Sequence, residues 1–410
     1  MENTENTTPR KPHKPKKSNK KLWLIIPAIL LICMIAVVVA VGYQVLIYEP
    51  PTGADAPPPF DTGMLLETTG SEKDNPEDMI PEGDAPVEET EPQELPRSKQ
   101  KIYNFLFVGQ DRIALNTDVI MLVSFNTTKN KVNILQIPRD TYIELPAYSG
   151  KINGLYAHFY LTNGYNVKNA LRQFADTLEQ NLCIKIHNVA HINLDGVRAI
   201  VDAVGGVDVN VPSRIESADS VTGKPIVIEA GLQHLDGAAA EVFIRHRSTY
   251  LQADIGRVDA QKVFVSALIK KVKSSFNVTT VTKLVDTAFK YTTTDITASD
   301  GVFFAKQLLD VNMSEINLMS MIGRGSMSNP DGTGLSFWVM VRKNMREMIN
   351  LYFNIYDFEI TDEIFDKNRV FTSTVRYPHL NNVYIIQDIE TKDPYNADGL
   401  NDDSIYIPHY

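Results

Sequence analysis

The sequence predicts an α/β fold in which helices cover both faces of a central mixed sheet. Three short, almost continuously apolar runs at 102–108, 118–125 and 131–137 are typical of strands that are buried on both sides. Amphipathic helical patterns then alternate with further short strands, a mixture that is typical of helices packed on a sheet. A long apolar segment and an acidic, proline-rich segment come first, so we expect one transmembrane helix and a disordered linker before the fold.

The order of the elements follows from local patterns. The polar stretch Asn-Thr-Thr-Lys-Asn between the second and third runs predicts a turn, and hence a hairpin inside the sheet. Gly205 and Gly206 end a helical pattern that begins at Leu194, and Asp236 is a typical N-cap for a helix that runs to Ile244. The other predicted elements are a helix at 167–178, strands at 207–211 and 226–228, and a helix at 257–272.

The first 48 residues have the pattern of a membrane anchor. Residues 1–21 carry seven basic and two acidic side chains, whereas residues 22–48 contain no Asp, Glu, Lys or Arg. A helix needs ~20 apolar residues to span a bilayer, but the apolar core of a signal peptide has only ~7–15. We therefore predict an uncleaved, single-pass helix at 22–48, with the basic tail in the cytoplasm and the rest of the chain outside the cell membrane. A nucleic-acid-binding arm is the weaker interpretation of the basic tail.

Residues 49–99 predict a disordered stalk. This segment holds fourteen acidic and three basic residues and ten of the 22 prolines, so it buries too little apolar surface to offset the entropy of ordering. The folded part is expected from residue 100, with a main domain at 100–350 and an extension of unknown role at 351–410. Because Cys33 lies in the predicted membrane helix and Cys183 stands alone outside it, a disulfide framework and a four-thiolate zinc site are both excluded.

Charged side chains collect where the predicted elements end, which is where ligands bind in open α/β sheets. Carboxylates are the ligands that Mg²⁺ prefers, and guanidinium groups contact phosphate oxygens two at a time. Together they would neutralise the charge of a pyrophosphate and of a phosphoryl group during its transfer. Taken singly, each could instead be a turn residue or a solvated helix end. The candidates are Asp111, Arg112, Asp118, Arg139, Asp140, Arg245, Arg247 and Arg257.

Seven sequence blocks, in order, resemble the LytR-CpsA-Psr family of membrane-anchored cell-wall enzymes. They lie between about 100 and 350 and read NFLFVGQDR, NTDVIMLVSFN, LQIPRDTYIELP, KINGLYAHF, DGVRAIVDAVGGVDVNVP, GLQHLDGAAAEVFIRHR and DIGRVDAQKV. The resemblance implies that 100–350 is a catalytic domain, folded as an α/β/α sandwich with an apolar tunnel for a polyprenyl tail. It also implies a Mg²⁺-dependent (or Mn²⁺-dependent) phosphotransferase. Such an enzyme moves a glycopolymer, for example teichoic acid or capsule, from undecaprenyl pyrophosphate to peptidoglycan and forms a phosphodiester.

The same resemblance assigns roles to individual residues. Asp111 and Asp118 match the metal-associated carboxylates, and Asp140 and Gln261 are expected to support the site from behind. The residues implied in catalysis are Asp111, Asp118, Arg139 and Arg245. The residues implied in pyrophosphate binding are Arg112, Arg139, Arg245, Arg247 and Arg257.

This chain departs from the family pattern at three points. Only six residues separate Asp111 from Asp118, and two arginines of the pattern are replaced by Asn116 and Ala260. Arg112 could compensate for one lost positive charge; otherwise pyrophosphate affinity would be lower, or the metal would neutralise more of the charge. The missing charges leave a second interpretation open, namely a non-catalytic module that binds the polyprenyl pyrophosphate or a wall polymer and has a regulatory role.

Overall fold

A mixed sheet of seven strands lies at the centre of the part of the chain that the structure describes. This computed structural model describes residues 50, 58–60, 96–110, 115–246, 254–275, 278–326, 337–367, 372–373 and 383–385. The strands are β1 (Ile102–Gln110), β2 (Thr117–Asn126), β3 (Lys131–Gln136), β4 (Tyr142–Leu145), β5 (Tyr148–Lys151), β6 (Asn188–Asn193), β7 (Val207–Val211), β8 (Ile215–Ala218), β9 (Pro225–Ile228), β10 (Gly231–Leu235), β11 (Thr292–Thr294), β12 (Ile316–Ser320), β13 (Gly323–Ser326), β14 (Phe337–Val341), β15 (Thr372–Ser373) and β16 (Val383–Ile385).

The helices connect the strands of this sheet and lie between them in the sequence. They are α1 (Leu155–Thr162), α2 (Val167–Leu182), α3 (Leu194–Ala203), α4 (Gly237–Arg245), α5 (Asp254–Ser274), α6 (Val278–Tyr291), α7 (Ala298–Asp310), α8 (Arg342–Tyr352) and α9 (Asp362–Lys367). The predicted helices at 167–178, 194–204, 236–244 and 257–272 are thereby confirmed. Asp236 is the N-cap of α4, and its side chain accepts a hydrogen bond from the Ala239 amide.

The strand order in the sheet is β11-β6-β1-β2-β3-β12-β16. β1 is parallel to β6 and antiparallel to β2, and β2 and β3 form the predicted antiparallel hairpin. β3 is parallel to β12. The carboxyl ends of β1, β3 and β6 therefore meet the amino end of β2 at one edge of the sheet.

Two of the predicted strands lie outside the central sheet. Residues 207–211 form β7, which pairs with β10, and residues 226–228 belong to β9, which pairs with β8. The side chains of β7 alternate between buried and exposed, as expected for a strand with one solvent-facing side. Their strand character was predicted correctly, but each belongs to a separate two-stranded sheet.

Each face of the sheet has its own hydrophobic core, because successive side chains of a strand point to opposite faces. Leu106 and Val108 of β1 contribute to a core with α1, α2 and α8. Tyr103 and Phe105 contribute to a second core with α3, α4 and α5. The predicted α/β architecture, with helices on both faces of a mixed sheet, is confirmed for the described residues.

The hydrophobic core extends beyond both predicted limits of the domain. On the C-terminal side, Phe353, Ile360 and Phe365 are buried in the first core, past the boundary predicted at residue 350. On the N-terminal side, Phe60 is only 7% exposed and packs edge to face on Tyr356, with ring centroids 5.8 Å apart. Phe60, which lies in the segment predicted to be a disordered stalk, is therefore part of the hydrophobic core, because its ring docks against Tyr356.

The predicted anchor, 22–48, lies outside the described residues. None of the helices that the structure does describe combines the length and hydrophobicity that crossing a membrane requires.

Candidate active site at the edge of the sheet

A cavity of about 430 Å³ opens at the edge where β1 and β6 end and β2 begins. α3, α4 and α5 close its other sides. The lining includes Gln110, Asp118, Asn193, Glu241, Arg245 and Gln261. Three of the predicted site residues, from three separate sequence blocks, therefore line one cavity.

Gly109, near the end of β1, lines the cavity and has no side chain. A Cβ atom at Gly109 would lie 3.0 Å from Cβ of Val119, closer than normal van der Waals contact. The register between β1 and β2 shifts between Gly109 and Gln110. Glycine thus lets β2 approach closely, and this approach places Asp118 beside the end of β1.

Asp118 and Arg139 form an ion pair at this edge. Nη1 of Arg139 donates to Oδ1 of Asp118 at 2.7 Å, and the two side chains are 18% and 31% exposed respectively. Arg139 follows β3 after Pro138, and its carbonyl accepts from the Asn153 amide at 3.1 Å. The backbone of the KINGLYAHF block therefore fixes the position of Arg139. Its guanidinium group contacts Asp118, which lines the cavity.

Asp140 lies on the other side of Arg139. Its Oδ1 is 3.8 Å from Nε of Arg139 and 3.0 Å from Nζ of Lys151. Lys151 in turn lies over the ring of Phe337, at 5.9 Å from the centroid. Asp140 therefore pairs closely with Lys151 and lies near Arg139 without a hydrogen bond to its Nε.

A buried acidic side chain orients Arg245. Glu241 is 1% exposed, and its Oε1 accepts from Nη1 of Arg245 at 3.1 Å and from Oγ of Ser220 at 2.7 Å. Its Oε2 accepts from Nε of Arg198. Arg245 is 42% exposed. Glu241 therefore holds one part of its guanidinium group, while the rest faces the cavity and solvent.

Arg198 also binds Asp219, which extends the ionic network into the loop after β8. Asp219 additionally accepts from the Val221 amide at 2.9 Å and from the Thr222 hydroxyl at 2.8 Å. The Arg198 hydrogen bond, followed by the Val221 and Thr222 bonds, holds the pKa of Asp219 well below its usual range. Asp219 therefore stays ionised at neutral pH and keeps Arg198 in position.

Close packing of α3 against α4 brings Arg198 and Glu241 together. A Cβ atom at Gly237 would lie 2.5 Å from the Arg198 carbonyl oxygen, so only glycine allows this approach. The Gly237 amide donates to Oδ1 of Asp202 at 2.8 Å and locks the two helices in register. Glu241 lies one turn further along α4 and therefore faces α3.

Gln261 of α5 lines the cavity and links α5 to β3 and α4. Its Oε1 accepts from Nε2 of Gln136 in β3 at 2.7 Å, and its Nε2 donates to the Ile244 carbonyl at 3.3 Å. His246, which follows α4, lines the cavity, and burial lowers its pKa. His246 is therefore mostly neutral at pH 7, and the positive charge there comes from the arginines.

Not all of the predicted site falls within the described residues. Asp111, Arg112 and Arg247 lie outside them, and Arg257 is in α5 but its side chain is not described. In the described part of the chain, no group of three or more His, Cys, Asp or Glu side chains could hold a metal ion. The site that can be described therefore consists of Asp118, Arg139, Arg245 and the residues that orient them.

An apolar cavity of about 300 Å³ lies on the same face of the sheet. Phe105, Phe107 and Val123 of the sheet form one wall, and Phe304 and Leu308 of α7 form another. Phe107 lies two residues before Gly109, so the apolar cavity and the charged cavity follow each other along β1. The resemblance implied such an arrangement of apolar and charged pockets.

Sequence reasoning missed the ionic network around Glu241. The available signal was a glutamate four residues before Arg245 in a helix that is otherwise apolar between Ala238 and Ile244. Arg198 similarly interrupts an apolar face between Val197 and Val201. Charged residues at positions that face a core require partners, but the sequence does not identify them.

Comparison with known proteins agrees with this architecture. The profile of the LytR_cpsA_psr family matches residues 66–353. The chain is 27% identical over 245 residues to the polyisoprenyl-teichoic acid–peptidoglycan teichoic acid transferase TagV of Bacillus subtilis, a match that covers 57% of this chain and 60% of TagV. It is 28% identical over 237 residues to the transferase TagU of Oceanobacillus iheyensis, covering 57% of this chain and 71% of TagU.

The fold resembles a solved structure of the same group. The crystal structure of B. subtilis TagV superposes with a TM-score of 0.52 and 24% identity, over 65% of this chain and 98% of that one. The family profile covers more than half of the sequence and includes all seven blocks. The chain therefore belongs to the LytR-CpsA-Psr family.

Proposed function

We propose that the chain is a membrane-anchored phosphotransferase that moves a glycopolymer from an undecaprenyl-pyrophosphate carrier to peptidoglycan. The observation that supports this most is that Asp118, which pairs with Arg139, and Arg245 line one cavity, next to an apolar cavity on the same sheet face. An amphiphilic diphosphate needs both environments. The names of the related transferases agree with this chemistry.

Arginine residues would bind the pyrophosphate. Arg245 faces the cavity with part of its guanidinium, while Glu241 fixes its direction. Arg139 contributes a second positive charge next to Asp118. Guanidinium groups held in this way stabilise charge that develops on phosphate oxygens without having to reorganise. Arg112, Arg247 and Arg257 would add to this set.

The reaction would be an in-line displacement at phosphorus. An acceptor hydroxyl oxygen forms a bond to the phosphorus that carries the glycan, and the bridging bond to undecaprenyl phosphate breaks. The acceptor loses its proton to a base, and undecaprenyl phosphate leaves with the bonding electron pair. Asp118 lines the cavity and could take this proton, since the hydrogen bond from Arg139 orients its carboxylate.

A divalent cation, Mg²⁺ or Mn²⁺, fits the residues present. Asp118 uses Oδ1 for Arg139, so Oδ2 is available to a hard cation, and Asp111 would be the second carboxylate. Mg²⁺ typically binds one or two carboxylates together with substrate phosphates, and it would neutralise charge on the diphosphate. The positive charge of the cation would compensate for the two family arginines that are replaced here by Asn116 and Ala260. Ala260 is fully buried in the second core.

The membrane is the expected source of the donor. A helix at 22–48 would tether the domain to the outer face of the cell membrane, where a polyprenyl carrier is anchored. The apolar cavity between the sheet and α7 would receive the part of the tail nearest the diphosphate.

Turnover by the full-length chain in lipid nanodiscs tests this proposal. The assay uses a lipid-pyrophosphate-linked glycan as donor and peptidoglycan as acceptor, and it measures released polyprenyl phosphate. We expect Asp118→Asn and Arg139→Ala each to slow turnover by ~10²-fold or more, and EDTA to stop it. Arg214→Ala is the matched control because Arg214 pairs with the exposed Glu216 and Glu229 and does not line the cavity.

The outcome distinguishes the two functions. Wild-type rates in both site variants would remove the proposed assignment. Donor binding without any release of polyprenyl phosphate, with Mg²⁺ or Mn²⁺ present, would favour the non-catalytic binding module. The replaced arginines at Asn116 and Ala260 are the feature that favours the module.

A further inference from the structure

Basic side chains lie together at the end of the central sheet that is opposite to the candidate active site. β1 begins here and its first residue, Ile102, pairs with Asn126, the last residue of β2. The site cavity lies at the other end of β1, at Gly109 and Gln110. The segment before β1 and the turn between β2 and β3 supply five cations. They form what we call the basic surface: Arg97, Lys99, Lys101, Lys129 and Lys131.

Hydrogen bonds hold the two segments of the basic surface together. The Thr127 amide donates to the Lys101 carbonyl at 2.9 Å, and the Lys101 amide donates to Oγ1 of Thr128 at 2.8 Å. Lys99, Lys101 and Lys129 are all exposed. The backbone therefore fixes where these lysines begin, while their charged ends can reach a partner outside the fold.

Acidic side chains also lie at this end of the sheet. Oε2 of Glu315 is 3.8 Å from Nζ of Lys131, in a pair that is more than 40% exposed on both sides. Asp310 lines the same cleft as Lys131, and Asp357 accepts from the Ser98 amide at 3.0 Å. Against these three acids the five cations keep a positive excess, although the whole chain has a net charge of −10. The basic surface is thus suited to an anionic partner.

An exposed leucine accompanies the cations. A cleft of about 840 Å³ beside the basic surface is lined by Arg97, Lys129 and Lys131 together with Leu351 and Tyr352 of α8. Leu351 is 62% exposed. Lysine and arginine around an exposed aliphatic side chain and a tyrosine are typical of surfaces that lie at the boundary between lipid head groups and acyl chains.

The apolar cavity between the sheet and α7 reaches the same turn on the other face of the sheet. Its lining includes Phe125 and Val132, which pair with each other just before and just after the turn. Phe107, two residues before Gly109, also lines it. The cavity therefore runs along the strands from the site end to the basic surface, where an apolar chain inside it would leave the protein.

Phe60 limits how far this end of the domain can lie from the predicted anchor. Its ring packs on Tyr356, and the next residue, Asp357, binds Ser98 beside the basic surface. Only eleven residues, 49–59, separate Phe60 from the end of the predicted anchor. Fully extended, they span at most about 40 Å, whereas the whole predicted stalk would span about 170–180 Å.

We propose that the basic surface docks on the anionic lipid head groups of the membrane that holds the anchor. The proposal rests on the proposed function, because that function includes the membrane anchor. A bilayer offers anionic groups to the lysines and an apolar interior to Leu351, and docking would place the end of the apolar cavity over the lipid. Each lysine near an anionic membrane strengthens such binding about fivefold.

Amine footprinting of the full-length chain in nanodiscs tests this proposal. One set of nanodiscs contains phosphatidylcholine alone, and in the other about a third of the lipid is phosphatidylglycerol. The acetylation rate of each lysine is measured by mass spectrometry at low extents of labelling. Lys168 and Lys290 are internal controls, since both are exposed but lie at the site end, where Val167 and Lys290 line a cleft with Gln110.

We expect phosphatidylglycerol to slow the acetylation of Lys99, Lys101 and Lys129 about threefold or more, and to leave both control lysines unchanged. The double variant Lys101→Gln/Lys129→Gln should weaken docking about 25-fold, so that Lys99 reacts as it does in phosphatidylcholine. High salt should act in the same way because it screens the charges. Lys168→Gln/Lys290→Gln is the matched variant: it loses the same charge and should leave Lys99 protected.

Three results would overturn the proposal. The first is equal acetylation of the basic surface in both lipids at the fast rate of the control lysines. The second is equal slowing at the control lysines, which would indicate a general effect of nanodisc charge. The third is slow acetylation of the basic surface in both lipids that salt reverses, which would assign this surface to the acidic segment 49–99 of the chain itself.

The proposed function fails by a different measurement. Loss of polyprenyl phosphate release, with lipid-dependent protection of the basic surface retained, would contradict the phosphotransferase and leave the docking surface in place. Normal release without that protection would contradict the docking surface alone. The two failures are therefore distinguishable.

Discussion

Replacing Glu241 by glutamine tests whether the buried ionic network holds the site together. The change keeps the size of the side chain and removes its negative charge. In the native structure the carboxylate accepts from Arg198, Arg245 and Ser220 and is 1% exposed. An amide can accept through one oxygen only, and its NH₂ group would face a guanidinium that also donates.

The expected loss of folding free energy depends on whether Arg198 and Arg245 still have a partner or water after the change. Removing one member of a buried ion pair costs about 3–5 kcal/mol, since the other charge is left buried. Arg198 retains Asp219, and Arg245 is half exposed and can be hydrated, so we expect the lower end, about 3 kcal/mol. For a domain of this size, that corresponds to a fall in Tm of about 5–10 °C.

The assay is thermal unfolding of the full-length chain, together with affinity for prenyl pyrophosphate. We expect the affinity to fall about tenfold, because Arg245 loses the contact that fixes its direction. Glu229→Gln is the matched control. Glu229 pairs with Arg214 at 3.1 Å, but these side chains are 61% and 50% exposed, so the expected cost is below about 1 kcal/mol.

Equal changes in Tm for Glu241→Gln and Glu229→Gln would refute the reasoning, since Glu241 is buried in an ionic network and Glu229 is in an exposed pair. A lower Tm with unchanged affinity would show that Glu241 stabilises the fold without orienting Arg245.

Two further predictions concern the stability contributions of Phe60 and His191. Phe60→Ala should destabilise the domain by about 2–3 kcal/mol in urea unfolding, because it removes a buried ring from Tyr356; unchanged stability would mean that the stalk is not docked there. Because His191 has a folded pKa of about 4 against 6.5 when unfolded, its contribution to stability is complete above pH 6.5 and is lost as the pH falls towards 4. Between pH 7 and 5 the loss should be about 2 kcal/mol, and His191→Gln should abolish that part of the pH dependence.

The local patterns of the sequence predicted most of the secondary structure. The apolar runs of β1, β2 and β3, the Asp236 cap of α4 and the Gly205-Gly206 stop of α3 are encoded within a few residues, so they can be identified without knowledge of the fold. The blocks that contain Asp118, Arg139 and Arg245 also identified the family. Phe60 could not be predicted in this way, because its partner Tyr356 lies almost 300 residues further along the chain.

The sequence by itself determined which segments form strands and helices, and which charged residues stand at their ends, because helical and strand periodicity are local properties. Only the tertiary structure decided which charges meet. Arg198 reaches Glu241 because Gly237 lets α3 and α4 touch, and the basic surface forms because the segment before β1 is hydrogen-bonded to the turn between β2 and β3. These contacts depend on the packing of elements that are distant in sequence, and that packing follows from burial of whole faces rather than from any single motif.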